Sequence, residues 1–274
     1  MITTLIFSKD RACQLEFLLR TLMYNQFGRI SQNFSILYIA TTPEFQVGYD
    51  KLIAMTDRIN WVPETDFEAN TKQILSEAGE HTCFFVDDNV MYRQCNYNGA
   101  YIEAIMTQVE HAGCFSLRLG RNTTIQDPYS QAPVRPMPDF IEVQIEGWPN
   151  SLAWQWNHLP KNNFGYPFSV DGHIYNTQLV IDSLDYDFDT PNAFEGRFDA
   201  NKIPKIMFCG QRSCIVNNPM NLVGSSQNKA GVWYGKSLEE LNTAFLDGKL
   251  MYPAREYRNE AFVGCHQELE MTLV

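Results

Sequence analysis

Residues 83–91 read Cys-Phe-Phe-Val-Asp-Asp-Asn-Val-Met, an apolar run closed by the adjacent carboxylates Asp87 and Asp88. Neighbouring acids repel unless a cation or a hydrogen-bonding ligand lies between them. Phe84 and Val86 have the aromatic and β-branched character of a buried strand. Alternation along an extended backbone turns the two acids to opposite sides, so one can face a metal while the other faces a hydroxyl. A plain Asp-Asp-Asn turn explains the same residues equally well. A second polar group, Ser8-Lys9-Asp10-Arg11, follows the first apolar run and opens a helical pattern. Helix-start N–H groups attract anions, and Lys9 and Arg11 add charge. Neither G-x-G-x-x-G nor G-x-x-x-x-G-K-[ST] occurs there, which disfavours a Rossmann dehydrogenase and a P-loop kinase.

The elements that would position these groups alternate regularly. Apolar strands are expected at 3–7, 34–40, 60–62 and 82–86, with helices at 12–24, 45–56 and 67–78 between them. Such alternation predicts an α/β fold with a mostly parallel central sheet flanked by helices. Ligands in such sheets bind at the carboxyl ends of the strands, where residues 8–11, 41–44, 64–67 and 87–89 all fall. Further along, 102–111 reads as a helix, 114–119 as a strand, 121–138 as a structureless loop and candidate cover, and 140–145 as a more exposed strand. Residues 214–219 read as a strand entering a turn. Residues 237–246 read as an amphipathic helix whose Ser237 and Glu240 form a capping box. A single domain, 1–274, is expected, with 1–120 as the ligand-binding half and 121–274 as a divergent second half.

Composition narrows the partners. The 274-residue chain is 45% hydrophobic and 19% charged, as globular domains are, and carries a net charge of −11. That charge argues against nucleic acid and against simple attraction to an anionic membrane surface. No apolar stretch is long enough to cross a membrane, and the first residues lack a signal-peptide pattern. Seven cysteines, an odd number without C-x-x-C spacing, suggest buried thiols in a reducing cytoplasm and speak against structural zinc.

The strand ending in Ser8-Lys9-Asp10-Arg11, the helix Gln14-Leu15-Glu16-Phe17-Leu18-Leu19-Arg20-Thr21-Leu22 and the later Phe84-Phe85-Val86-Asp87-Asp88-Asn89 together resemble a GT-A-fold nucleotide-diphospho-sugar glycosyltransferase. The likeness is to family 2-like and exostosin-like members, and is best over 1–120. It implies that Asp88 binds Mn²⁺ or Mg²⁺ bridging a donor diphosphate, and that Asp87 holds ribose or sugar hydroxyls. Ser8, Lys9 and Arg11 would then lie near the nucleotide, with Glu64 at the base and ribose pocket and Lys72 a diphosphate contact. The local alternative for 64–67 is a helix cap, by Thr65 or Asp66.

An inverting transfer also needs a carboxylate to deprotonate the acceptor hydroxyl. Glu195, in Thr-Pro-Asn-Ala-Phe-Glu-Gly-Arg-Phe, resembles the family's base, although the family's Glu-Asp pair is Glu-Gly here. Asp171, in Ser-Val-Asp-Gly-His, is the second candidate for the base and, with Glu195 in that role, the sugar ligand. A helix-start acid near Pro191 competes for Glu195. His266 resembles a late histidine that completes the metal site in some members. Trp154, Trp156, Tyr166 and His173 fall where an acceptor site is expected, since sugar C–H faces pack on rings, with core packing as the competing role. The expected activity is transfer from a nucleotide-diphosphate sugar, a UDP-sugar favoured, to a hydroxylated glycan or lipid-linked acceptor. A nucleotidyltransferase and a non-catalytic nucleotide- or sugar-binding protein are the rivals.

Overall fold

A computed structural model describes residues 1–127, 129–223, 229–257 and 262–274. The first half alternates as its apolar periodicity demands: β1 (Ile2–Lys9), α1 (Ala12–Tyr24), β2 (Asn33–Ile39), α2 (Pro43–Met55), β3 (Ile59–Pro63), α3 (Phe67–Ser76) and β4 (His81–Val86). The short β5 (Asn89–Met91) follows, then α4 (Gly99–Gln108), β6 (Ala112–Ser116), β7 (Ile125–Asp127), β8 (Ala132–Pro133), β9 (Ile141–Val143) and β10 (Ser151–Gln155). The remainder holds β11 (His173–Asn176), α5 (Thr177–Asp182), α6 (Pro191–Gly196), β12 (Ile206–Cys209), β13 (Ile215–Asn217), α7 (Leu238–Leu246), β14 (Met251–Pro253) and β15 (Met271–Leu273).

Nine strands form one sheet in the order β3-β2-β1-β4-β11-β6-β12-β10-β9. Strands β3, β2, β1 and β4 run parallel, as do β6 and β12. β11 runs against both β4 and β6, and β10 against both β12 and β9. Side-chain alternation sends Leu5, Phe7 and Phe84 into one core, and Ile6, Cys83 and Phe85 into the other. Helices α1, α2, α4 and α7 cover the second core with residues such as Leu18, Tyr49, Ile105 and Phe245, while α3, α5 and α6 cover the first with Phe67, Val180 and Phe194. The fold is therefore the mostly parallel, helix-flanked α/β sheet expected.

Local chemistry sets the helix starts. Thr42, Asp66, Asn98, Thr190 and Ser237 each accept a hydrogen bond from the backbone N–H three residues on. Asp66 is thus a helix cap, and the Ser237 cap is as expected. Arg11, at the start of α1, makes no such cap and uses its side chain elsewhere.

One expectation fails. Residues 121–138 are not structureless: β7 pairs with β8, the N–H groups of Thr124 and Ile125 both reach the Val263 carbonyl at 2.8 Å, and Val134 is buried. Pro128 lies outside the described residues. Composition suggested a loop because the backbone partners come from a segment distant in sequence.

Candidate functional site

Asp87 and Asp88 occupy the turn directly after β4, so the turn reading and the site reading describe the same residues. Asp10, with φ 57°, lies in the left-handed region that L residues avoid. Its carboxylate offsets that strain by accepting from the Thr41 N–H and hydroxyl at 2.7 and 2.8 Å. Beside this kink, the Lys9 N–H and the Ser8 hydroxyl donate to Asp87 Oδ2 at 3.0 and 2.9 Å. Arg11 Nη1 donates to Asp87 Oδ1 at 2.9 Å and to Asp88 Oδ2 at 3.0 Å. Arg11 is 6% exposed and is aimed by Asn221, whose side-chain and main-chain oxygens accept from its Nε and Nη2. Burial alone would lower the Arg11 pKa, but Asp87 and Asp88 outweigh it and hold the guanidinium charged. The two acids therefore do not point to opposite sides as an extended strand would turn them: in the turn they converge on one guanidinium, and the hydroxyl that meets Asp87 is that of Ser8.

The other oxygen of Asp88 accepts from Asn217 Nδ2 at 2.6 Å. Asn217 arrives because β13 pairs antiparallel with β5, and its Oδ1 lies 3.1 Å from His266 Nδ1. Asn89, beside Asp88, donates to Asp171 Oδ1 at 3.1 Å, and Arg118 is ion-paired with Asp171 Oδ2. Asp171 sits in the turn before β11, not in a strand. The following Gly172, at φ 67°, makes that turn, and a Cβ there would meet Ile215 Cδ1 at 3.0 Å. Glu195 accepts from the Val170 N–H at 2.7 Å and is bonded by Tyr166. Phe194, packed against Phe7, Phe84, Phe168 and Phe188, pins α6 so that Glu195 points inward.

Electrostatics separate these acids. Burial, then repulsion from Asp171, lifts Glu195 from 4.5 to about 7. Asp88 rises from 3.8 to about 7 through burial, which together with Asp87 and Asp171 outweighs Arg11. Burial would raise Asp171 too, but Arg118, then His266 and Asn89, keep it low and ionised. Burial and Arg118 push His266 down to about 4 and His173 to about 3, so both rings are neutral at neutral pH.

The donor set suits a divalent ion only in company. Asp88 offers one carboxylate and His266 one neutral imidazole, but Asp88 Oδ2 already holds Arg11. Among the described residues no group of three His, Cys, Asp or Glu side chains could cage a metal. The residues therefore fit an ion that arrives with a diphosphate and shares its oxygens, as Mg²⁺ and Mn²⁺ commonly do. They do not fit an ion held by protein alone.

Other expected residues lie at varied distances from this network. Glu64, half-buried and raised by burial against the pull of Lys9, lines a cavity of about 480 Å³ with Thr65, Asp66, Phe67, Asp187 and Arg197. Lys72 is exposed and paired with Glu68 at 2.6 Å, a bond within α3 that explains it without a ligand. Trp154 is core, its indole N–H donating to the Phe164 carbonyl. Trp156 packs beside it, donating to Pro204. His173 is buried with Nδ1 on the Asp171 carbonyl, the structural role that competes with sugar contact. Only Tyr166 of the four acceptor candidates touches the acidic cluster, through Glu195. Sequence reasoning missed Arg118, Asn217 and Asn221. Arg118 carried a positional signal, since it follows the carboxyl end of β6.

No protein-family model matches the chain. Among curated proteins, the bifunctional glycosyltransferase pgtA of Dictyostelium discoideum is 24% identical over 192 residues, 67% of this chain and 25% of the relative. The match thus spans about a quarter of that protein. Among solved structures, S. aureus TarS shares 11% identity at a TM-score of 0.43, covering 78% of this chain and 59% of that one. The mannosyltransferase PcManGT of Pyrobaculum calidifontis, solved with GDP-Man and Mn²⁺, shares 10% at 0.40, covering 77% and 54%. The 4-diphosphocytidyl-2C-methyl-D-erythritol synthase of Anaerococcus prevotii shares 12% at 0.37, covering 78% and 88%. Scores at this level describe a loosely shared layout and say nothing of chemistry. The chain is similar in sequence to a glycosyltransferase over 192 residues, and its sheet is mostly parallel and flanked by helices.

Proposed function

We propose that this protein is a glycosyltransferase that moves a sugar from a nucleotide-diphosphate donor, a UDP-sugar favoured, to a hydroxyl of a glycan or lipid-linked acceptor. One observation carries the reading. Asp88, Asp171, Glu195 and His266, from four separate segments, meet in one largely buried network with Arg11 and Arg118 at the carboxyl ends of β1 and β4. A packed scaffold does not need so many buried charges, and perturbed acids gather where chemistry is done.

In this reading Glu195 is the base. The acceptor oxygen attacks the anomeric carbon, its proton passes to Glu195, and the bond to the diphosphate breaks with its electron pair on the leaving oxygen. A carboxyl poised near 7 is half-ionised at neutral pH, which suits a proton acceptor. Attack opposite the leaving group inverts the sugar. Asp171, kept ionised by Arg118, binds donor sugar hydroxyls. Asp87 fixes the Ser8–Lys9 backbone beside the nucleotide, and Glu64 lines the nucleoside side. Asp88, with His266, would hold Mn²⁺ or Mg²⁺, which supplies positive charge to the leaving diphosphate. Seven buried free thiols suit a reducing cytoplasm, and among the described residues no helix is long and apolar enough to cross a membrane.

The test is calorimetric titration with UDP, with and without Mn²⁺, followed by hydrolysis and transfer assays across a nucleotide-sugar panel. Metal-assisted UDP binding with turnover supports the reading. UDP binding without turnover of any donor turns it into a binding module, and nucleotide-sugar synthesis from a sugar phosphate turns it into a nucleotidyltransferase.

A further inference from the structure

Of the aromatic residues first expected to meet an acceptor, Trp154 is core, Trp156 packs against the same core and Tyr166 alone reaches the acidic cluster, so a second aromatic surface is of interest. Trp233 and Tyr234 are adjacent, 49% and 42% exposed, and line a cavity of about 220 Å³ with Ile125, Val263, Gln267 and Glu268. Large exposed rings usually belong to mobile segments or binding surfaces. This segment is anchored. Glu268, 4% exposed, accepts the consecutive N–H groups of Val232, Trp233 and Tyr234 at 2.6, 2.8 and 2.8 Å, and the Tyr129 hydroxyl at 2.7 Å. One buried carboxylate therefore organises three successive backbone donors with charge-assisted bonds. The Tyr129 ring packs on Trp233 with centroids 5.1 Å apart. Rings displayed on so fixed a backbone meet a ligand with little ordering cost.

A backbone bond links the cavity wall to the acidic network. Gln267 follows His266, its N–H donates to the Asn217 carbonyl at 2.9 Å, and the Asn217 side chain reaches Asp88. We propose that Trp233 and Tyr234 form the docking platform for a sugar unit of the acceptor glycan, an inference that rests on the glycosyltransferase reading. A sugar ring offers C–H faces to the two aromatic rings and hydroxyls to Gln267, a polar amide able both to donate and to accept. The net charge of −11 disfavours an anionic membrane surface as the occupant.

Saturation-transfer NMR with methyl glycosides of glucose, galactose, mannose, N-acetylglucosamine, fucose and xylose, run beside a UDP titration, tests this. At least one glycoside should receive saturation from the wild type. Trp233→Ala should weaken that binding about tenfold, Trp233→Phe should restore most of it, and UDP affinity should stay unchanged in both. Glycoside binding unaltered in Trp233→Ala overturns the platform, as does UDP binding without binding of any glycoside. Glycoside binding lost in Trp233→Ala while UDP fails to bind leaves the sugar platform standing and sinks the donor reading. Partition onto phosphatidylcholine vesicles that depends on Trp233, with no glycoside bound, overturns it in favour of a lipid surface.

Discussion

Arg11 and Asp88 are held 3.0 Å apart, Nη1 to Oδ2, with both side chains almost wholly out of solvent. The guanidinium thus already neutralises one of the two Asp88 oxygens that the proposed metal role would draw on. Asp88→Ala removes the carboxylate but leaves Arg11 on Asp87. UDP binding in the presence of Mn²⁺ should weaken tenfold or more, about 1.4 kcal/mol, and lose its metal dependence in calorimetry. Unchanged metal-dependent affinity would contradict the role given to Asp88.

Arg11→Met has the opposite character. It strips the only described cation from two buried, adjacent carboxylates, leaving Asp87 with the Ser8 and Lys9 donors alone. The expected loss of stability is about 3–5 kcal/mol by urea unfolding. A stability within 1 kcal/mol of wild type, a roughly surface-like effect, would show that the pair is neutralised in some other way.

Glu195→Gln keeps the shape of the side chain but abolishes proton acceptance. Transfer should fall roughly 10²–10⁴-fold while UDP affinity is retained. In wild type the rate should climb as pH rises through about 7, where Glu195 ionises, and the variant should lack that limb. The stability sign is opposite. The folded state holds a proton that the unfolded state releases between 4.5 and about 7. The stabilisation is full below 4.5 and is lost as pH rises through about 7, so wild type should lose ground to the variant over that window in chemical unfolding. A pH-independent difference would remove Glu195 from the titrating network.

Phe194→Ala tests how the base is aimed. Its ring is fully buried among Phe7, Phe84, Phe168 and Phe188, so truncation should cost about 3–5 kcal/mol. Because Phe194 anchors the six-residue α6, the rate should fall further than UDP affinity does. Equal losses in both would mean that α6 merely supports the fold.

Strand–helix alternation through β4 was legible because each strand is an apolar run and each helix has a distinct face, Leu15, Leu18 and Leu22 among them. Asp87, Asp88 and Arg11 could be picked out because strand ends in a parallel sheet share one edge. Asp171, Glu195 and His266 needed the family likeness, since nothing local marks an acid as one that will be buried. Arg118 and Asn217 escaped notice for a different reason. Their roles depend on pairing β13 with β5 and on placing β6 beside β11, contacts between segments far apart in the chain. The tryptophans misled because aromatic content cannot distinguish a ring facing Phe164 from one facing solvent.

The position of β11 has a last implication. It lies between β4 and β6, both from the first half of the chain, and runs against each. A fragment that stops before residue 173 would leave a slot in the middle of its sheet, with two bare backbone edges facing one another. The earlier and later parts of the chain are therefore interleaved rather than tandem. Neither can be cut free, inherited alone or exchanged as a cassette without unzipping the other.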